Sequence, residues 1–235
     1  MLLSALREEV LAANLELVRQ GTVLYTFGNV SGISRKDSLV AIKPSGVPYD
    51  TLTPEQIVVS DLNGRIVDGD LRPSTDLRTH LELYQHFPSI GGVAHTHSRA
   101  AAAWAQAQRP IPCFGTTHAD YFDGPIPVTT LLDAEQISGD YEKATGIAIC
   151  RTFAELDPNA IPAVLVARHG PFCWGPDAAA AAHNAVILEY IAEMAYRTLI
   201  VDPAAQPLPR ELHDKHFSRR HGPNAYYGQV TAQPR

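Results

Sequence analysis

Cysteine is scarce in this chain of 235 residues. Cys113, Cys150 and Cys173 are odd in number and show no CxxC spacing. They read as free thiols of a reducing compartment, which excludes a disulfide scaffold. Positive charge is also short: Lys+Arg 19 against Asp+Glu 25 leaves a formal net charge of −6. That balance argues against nucleic acid as the main partner, while a local basic pocket can still hold one phosphate. No apolar run reaches the ~18 residues of a membrane span. The longest, AAAAAHNAVILEYIAEMA, is broken by His183, Asn184 and Glu189. Arg7, Glu8 and Glu9 stand where a signal peptide needs an apolar stretch, so a cytoplasmic location is expected. The GxGxxG, P-loop and GxSxG patterns are absent.

What is present is ordinary globular composition, with 45% hydrophobic and 19% charged residues. Length favours one large domain over two. The spacing of Leu3, Leu6, Val10 and Leu17 predicts an amphipathic helix over 2–20, ended by Gly21. Strands are predicted at 22–27, 38–44 and 56–61, with Asn63-Gly64 turning into a return strand at RIVDG. A helix capped by Thr75 or Asp76 runs to about Phe87, and IGGVAHTH is a short buried strand. Ser98 caps an alanine-rich helix, and 110–130 is loop with strand fragments. Short helices at 133–143, a strand at GIAICRTF, and a strand PAVLVARHG running into FCWG past a kink at Pro171 follow. Asp177 caps a long helix over 178–200, and 208–229 is helical and then irregular. Interleaved helices and strands point to an α/β domain over 1–229 around one mixed sheet, with 230–235 a disordered tail.

Three of the ten histidines stand out. His95 and His97 flank Thr96 at a strand end, and period-two alternation puts both imidazoles on one face. His169 ends a second apolar strand. Three imidazoles at one sheet edge match the three-ligand, open-position pattern of a catalytic divalent metal, although an H-x-H pair alone can equally be packed structure. Gly28-Asn29, Ser45-Gly46 and Ser74-Thr75-Asp76 each fall at an element boundary, where hydroxyls and free N–H groups suit phosphate oxygens. Taken singly, each also serves as ordinary turn or cap chemistry. Lys43 adds a positive charge nearby. Asp120, in the loop TTHADY, and the pair Tyr226-Tyr227 can be acid/base groups or simply turn and packing residues.

The segments GNVSG, IKPSGVPYD, RPSTDLRTH, FPSIGGVAHTHSRAAAAWAQA, GTTHADYFDGPIP, RHGPFCWG, HNAVILEYIA and HGPNAYYGQ give the chain a strong resemblance to the class II aldolase/epimerase family. It extends from about residue 2 to Gln229. GTTHADYF and AYYGQ resemble the epimerase branch in particular, and Asp76 stands where the family's aldolases offer glutamate. The resemblance implies a class II aldolase/adducin-like fold with a mostly antiparallel sheet. It implies a metal site of Asp76, His95, His97 and His169, filled by Zn²⁺ or else Mn²⁺ or Co²⁺. Substrate contacts would come from Gly28, Asn29, Ser45, Gly46, Ser74 and Thr75, and acid/base catalysis from Asp120 and Tyr227. It further implies a C4 homotetramer with sites between subunits, and His216 and Arg219 match the segment that reaches toward a neighbour. The implied activity is metal-dependent interconversion of L-ribulose 5-phosphate and D-xylulose 5-phosphate. A class II aldolase of the fuculose- or rhamnulose-phosphate type is the alternative. Inverting C4 by removing its hydrogen is hard, because C4 is not α to the carbonyl. Breaking and remaking C3–C4 avoids the problem and requires two acid/base groups on opposite sides.

Overall fold

The computed structural model describes residues 1–222 and 225–227. The tail expected at 230–235 lies outside them. The order begins with helix α1 (Ser4–Arg19), then strands β1 (Asn29–Ser34), β2 (Leu39–Ile42), β3 (Val58–Asp61) and β4 (Ile66–Asp68), then helix α2 (Leu77–His86). Strand β5 (Gly92–His95) leads to helices α3 (Arg99–Ala107), α4 (Thr116–Ala119), α5 (Ala134–Ser138) and α6 (Tyr141–Thr152). The hairpin β6 (Ala163–Leu165) and β7 (Pro171–Gly175) precedes helices α7 (Ala178–Val201) and α8 (Arg210–Arg220). The seven strands form one sheet in the order β4-β3-β2-β1-β5-β7-β6, with every neighbour pair antiparallel. Among the described residues no helix is long and apolar enough to cross a membrane.

Strand alternation assigns the two faces. Gly32 of β1 meets Leu6 and Val10 of α1, and Ala178 of α7. Gly92, its partner on β5, lies against α7 so closely that a Cβ would sit 2.3 Å from the Asp177 carbonyl. Only glycine allows that approach. Residues one position away point oppositely. Asn29 and Ser31 of β1, His95 of β5, and Phe172 and Trp174 of β7 therefore share the other face, which α2 and α6 cover. There Phe87, Phe153 and Trp174 pack with ring centroids 5.0–5.7 Å apart. Helix α1 buries Val10, Ala13 and Leu17, each large aliphatic contributing roughly 1.5–3 kcal/mol. Asn14 of α1 bonds both the N–H (2.9 Å) and the carbonyl (3.1 Å) of Val30, standing in for a strand where β2 has ended.

Three expectations from sequence are corrected. Segment 22–27 is not a strand. Thr22 bonds back to the Leu17 carbonyl, Tyr25 has φ +55°, and Leu24, Tyr25 and Phe27 are exposed, with sheet pairing starting only at Asn29. GIAICRTF is helical, not extended. Asp140 caps α6 by accepting from the Lys143 N–H, and Thr145, Ala148 and Ile149 bury one helical face, with Gly146 against α2. PAVLVARHG and PFCWG are two strands of a hairpin rather than one kinked strand. The chain reverses at 166–170 with Arg168 at φ +64°, so His169 sits in the turn. Two caps also work differently from the simple expectation. Asp76 and Ser98 occupy N-cap positions without side-chain cap bonds, and the Glu189 carboxylate of α7 accepts from the Ala100 and Ala101 N–H groups instead.

Candidate functional site

The ends of β5 and of the β6–β7 turn meet on the α2 face of the sheet. His95 closes β5, His97 follows across the buried Thr96, and His169 comes from the turn. Their ligand nitrogens all lie within 4.8 Å of one another, and the Nε2 atoms of His95 and His97 are 3.0 Å apart. Nδ1 of His95 bonds the Pro171 carbonyl at 2.9 Å, which fixes the proton there and leaves Nε2 as a lone pair facing its neighbours. The ring is also stacked on Phe172 at 4.1 Å. Nδ1 of His169 lies 3.3 Å from the Tyr141 hydroxyl. Burial, and then His95 and His97, push the His169 imidazole down to about 4, and burial likewise lowers His97. These two rings are neutral at pH 7, as ligands must be. Converging imidazoles with back-side partners fit a divalent ion.

Asp76, at the start of α2, is half-buried near them but is not one of the three converging groups. Its Oδ2 accepts from Asn29 Nδ2 at 2.7 Å and from Ser74 Oγ at 3.4 Å. Burial pushes this carboxyl up, but His95, His80 and Asn29 outweigh it and hold the group below its ordinary value. Asp76 is therefore an anion beside the imidazoles.

A cavity of about 280 Å³ opens in front of these groups. All six residues expected to contact substrate line it: Gly28, Asn29, Ser45, Gly46, Ser74 and Thr75. Asp76, His95 and His97 line the same wall. The loops are brought together by backbone bonds, Ser74 N–H to the Lys43 carbonyl and Ser45 N–H to the Arg72 carbonyl, both 3.0 Å. Gly28 has φ +75°, and a Cβ there would lie 2.8 Å from the His95 carbonyl. Any other residue would push the cavity rim off β5. Asn29 Oδ1 is buried without a partner among the described residues, an acceptor left over at the cavity wall.

Sequence reasoning undervalued Lys43. It is 1% exposed and lines the cavity, with Nζ 4.7 Å from the Tyr49 ring centre and 3.4 Å from the Pro44 carbonyl. Burial lowers its pKa to about 8. A buried ammonium with so little protein compensation needs an anion. Its signal was present as the lysine of IKPSG, at the end of a strand beside Ser45-Gly46. Thr26, Phe27 and Tyr141 had no comparable signal, because each reaches the site through loop or helix placement.

Asp120 and Tyr227 are both brought to Arg219 but not to this cavity. Asp120 follows α4, and its carboxylate accepts from Arg219 Nε (2.8 Å) and is 3.1 Å from His216 Nδ1, both on α8. Burial raises this carboxyl, but the Arg219 and His216 bonds prevail and lower it. The Tyr227 N–H donates to the Arg219 carbonyl, and its ring lies under the Arg219 and Arg220 guanidiniums at 4.8 and 4.6 Å. Neither residue lines the cavity of its own chain. A second grouping, Asp123, His213 and Asp214, already holds a cation, since Arg210 lies 2.8 Å from Asp214 and 3.6 Å from Asp123.

Residues 8–196 match the profile described as "Class II Aldolase and Adducin N-terminal domain". The chain belongs to this family. Within it, the chain is 52% identical over 224 residues to the L-ribulose-5-phosphate 4-epimerase UlaF of Salmonella paratyphi C (strain RKS4594), covering 95% of this chain and 98% of that protein. The same figures hold for the protein of that name from Salmonella typhi. Among solved structures, the class II aldolase fold recurs in an L-fuculose 1-phosphate aldolase with TM-score 0.78, at 24% identity over 93% of this chain and 97% of that one. An L-fuculose-1-phosphate aldolase from Thermus thermophilus superposes with TM-score 0.68, at 21% identity over 87% of this chain and 100% of that one.

Proposed function

We propose that this class II aldolase-family chain is a divalent-metal-dependent L-ribulose-5-phosphate 4-epimerase. The observation that carries the reading is a cluster of three imidazoles, two of which line one small, donor-lined cavity together with a buried ammonium. Its relatives at 52% identity bear that activity in their names. His95, His97 and His169 would hold the ion with Asp76 completing its surroundings, and Zn²⁺ suits this donor set, with Mn²⁺ or Co²⁺ as substitutes. When bound, it would supply Lewis-acid stabilisation of negative charge as the C3–C4 bond breaks.

The chain's own residues supply the rest. Lys43, Ser45, Ser74 and Thr75 bind the phosphate with one ammonium, hydroxyls and N–H groups. Asn29 spans the two ends, anchoring Asp76 through Nδ2 and keeping Oδ1 free for a substrate hydroxyl. Holding the phosphate retains the two-carbon fragment while it turns and re-adds through its other face. The C4 oxygen loses its proton on one side and regains it on the other. Asp120 and Tyr227 serve these two sides, delivered by α4 and α8 of a neighbouring copy in a C4 tetramer. That arrangement accounts for a pocket and an acid/base unit that are separate in one chain, and for the exposed Phe27 at the pocket rim. The three free cysteines accord with a cytoplasmic setting.

The test is conversion of L-ribulose 5-phosphate followed with an aldehyde trap. Accumulation of D-xylulose 5-phosphate without a trapped aldehyde is expected. Stoichiometric release of a two-carbon aldehyde phosphate would assign an aldolase instead.

A further inference from the structure

Of the three clustered rings, His169 has little support from its own backbone. It sits in the β6–β7 turn, directly after Arg168 at φ +64°, rather than in a strand. His95, by contrast, closes a strand and is fixed by the Pro171 carbonyl and the Phe172 ring. Among the described residues the His169 imidazole has one hydrogen-bond partner, the Tyr141 hydroxyl, 3.3 Å from Nδ1. The Tyr141 and His169 ring centroids are 6.2 Å apart and the planes are tilted by 35°, so the hydroxyl makes the contact and stacking does not.

Tyr141 is placed in turn by the contact between α6 and α2. The residues beside it are tied to α2: Asp140 pairs with Arg78 at 3.1 Å, the Glu142 carbonyl accepts from Thr79 Oγ1 at 2.7 Å, and Lys143 Nζ lies 3.9 Å from Glu82. The Arg78 pair is exposed and contributes little, whereas Thr79 is buried and its bond fixes the residue next to Tyr141. Further along α6, a Cβ on Gly146 would lie 2.5 Å from the Glu82 Cβ, so the two helices approach as closely as glycine allows. With Nδ1 turned to Tyr141, Nε2 is the nitrogen that His169 has left to offer an ion, and a lone pair there requires the proton on Nδ1. The Nδ1–H then donates to the Tyr141 oxygen. Tyr141 is only half-buried, so its own O–H does not need a protein acceptor.

We propose that Tyr141 is a positioning residue whose hydroxyl, held by the α2–α6 contact, accepts from His169 Nδ1 and sets that ring to offer Nε2 as a ligand alongside His95 and His97. The inference rests on the reading of the three imidazoles as a metal site. It makes a residue of α6, and the packing of α6 on α2, determinants of how that site holds an ion.

Co²⁺ is the probe, titrated into metal-free protein and followed by its visible absorption and by competition with a chelator. Tyr141→Phe keeps the ring and removes only the hydroxyl. It is expected to weaken Co²⁺ binding by about 10–100-fold and to change the band shape, as loss of an outer-shell partner does. Thr79→Val, which removes the bond beside Tyr141 and leaves the phenol in place, should produce a smaller change of the same kind. Wild-type affinity and spectrum in Tyr141→Phe would overturn the proposal. Weaker binding with the wild-type band shape would assign Tyr141 to packing and overturn it as well. A wild-type spectrum and affinity in Thr79→Val would overturn the part given to the helix contact. His169→Asn separates the inference from the reading beneath it. If His169→Asn binds Co²⁺ as the wild type does while His95→Asn does not, His169 is no ligand, and the three-imidazole reading and the inference fall together. If His169→Asn abolishes binding while Tyr141→Phe matches the wild type, the site stands and the inference alone fails.

Discussion

Lys43 and the histidines show how single residues acquire chemistry from burial. An ammonium in water is commonplace, but the Lys43 group is enclosed, lowered to about 8, and left with a carbonyl and a ring face as company. It is therefore predisposed to take up a phosphate. Replacing it in Lys43→Met should raise KM for a phosphorylated ketopentose by about 10–100-fold, corresponding to the ~1.5–3 kcal/mol of a charge-assisted bond. Metal content should not change. Equal losses with the unphosphorylated sugar, measured side by side, would show that Lys43 serves the fold rather than the phosphate. The same contrast applies among histidines. His95→Asn removes a converging nitrogen and should leave the purified protein without stoichiometric metal, whereas His86→Asn, on the exposed end of α2, should leave metal content at the wild-type level. Metal analysis of both variants checks this.

At the scale of elements, the sequence was legible where one physical signal dominated. The apolar run before His95 and the i, i+2 spacing predicted two imidazoles facing one way, and the structure brings their Nε2 atoms to 3.0 Å, with His95 at the end of β5 and His97 just past it. Asp177 announced α7 and does cap it. Errors arose where composition and context disagreed. TVLYTF has strand-forming residues, but no neighbouring strand extends far enough to pair with it. GIAICRTF reads as extended by composition, yet Asp140 and the surface of α2 make it part of α6. Ile149→Ala should accordingly cost about 2–5 kcal/mol in denaturant unfolding, because Ile149 is fully buried. The separation of Asp120 from the imidazoles was not legible at all, since it depends on how α8 folds back on α4. If α4 and α8 act on a neighbour's cavity, two inactive variants should complement each other. Co-expression of His97→Asn with Tyr227→Phe should restore about a quarter of wild-type activity, the share of mixed sites that are intact in a four-fold ring. Activity no higher than that of either variant alone would place the acid/base unit and its cavity in the same chain.

The whole molecule carries an electrostatic signature. Burial holds His80 to about 3, and His118 and His169 to about 4, while the unfolded chain's imidazoles titrate near 6.5. At pH 7 both states are neutral at these positions, so nothing is lost. As pH falls from 6.5 toward 4, the unfolded state binds protons that the folded state refuses, and stability drops. By pH 5 the loss is at most about 2 kcal/mol for each such histidine. The denaturant midpoint of metal-free protein should therefore fall steadily between pH 6.5 and pH 4, and a flat midpoint across that range would contradict the assigned neutral forms. The same neutrality is what lets His97 and His169 serve as ligands beside His95 at physiological pH, which leads to the central claim. That claim is tested most directly by stripping metal with a chelator and measuring L-ribulose 5-phosphate conversion before and after adding back one equivalent of Zn²⁺ or Mn²⁺. The account predicts no D-xylulose 5-phosphate from the stripped protein and restored turnover at one ion per chain; full conversion by protein shown to be metal-free would contradict it.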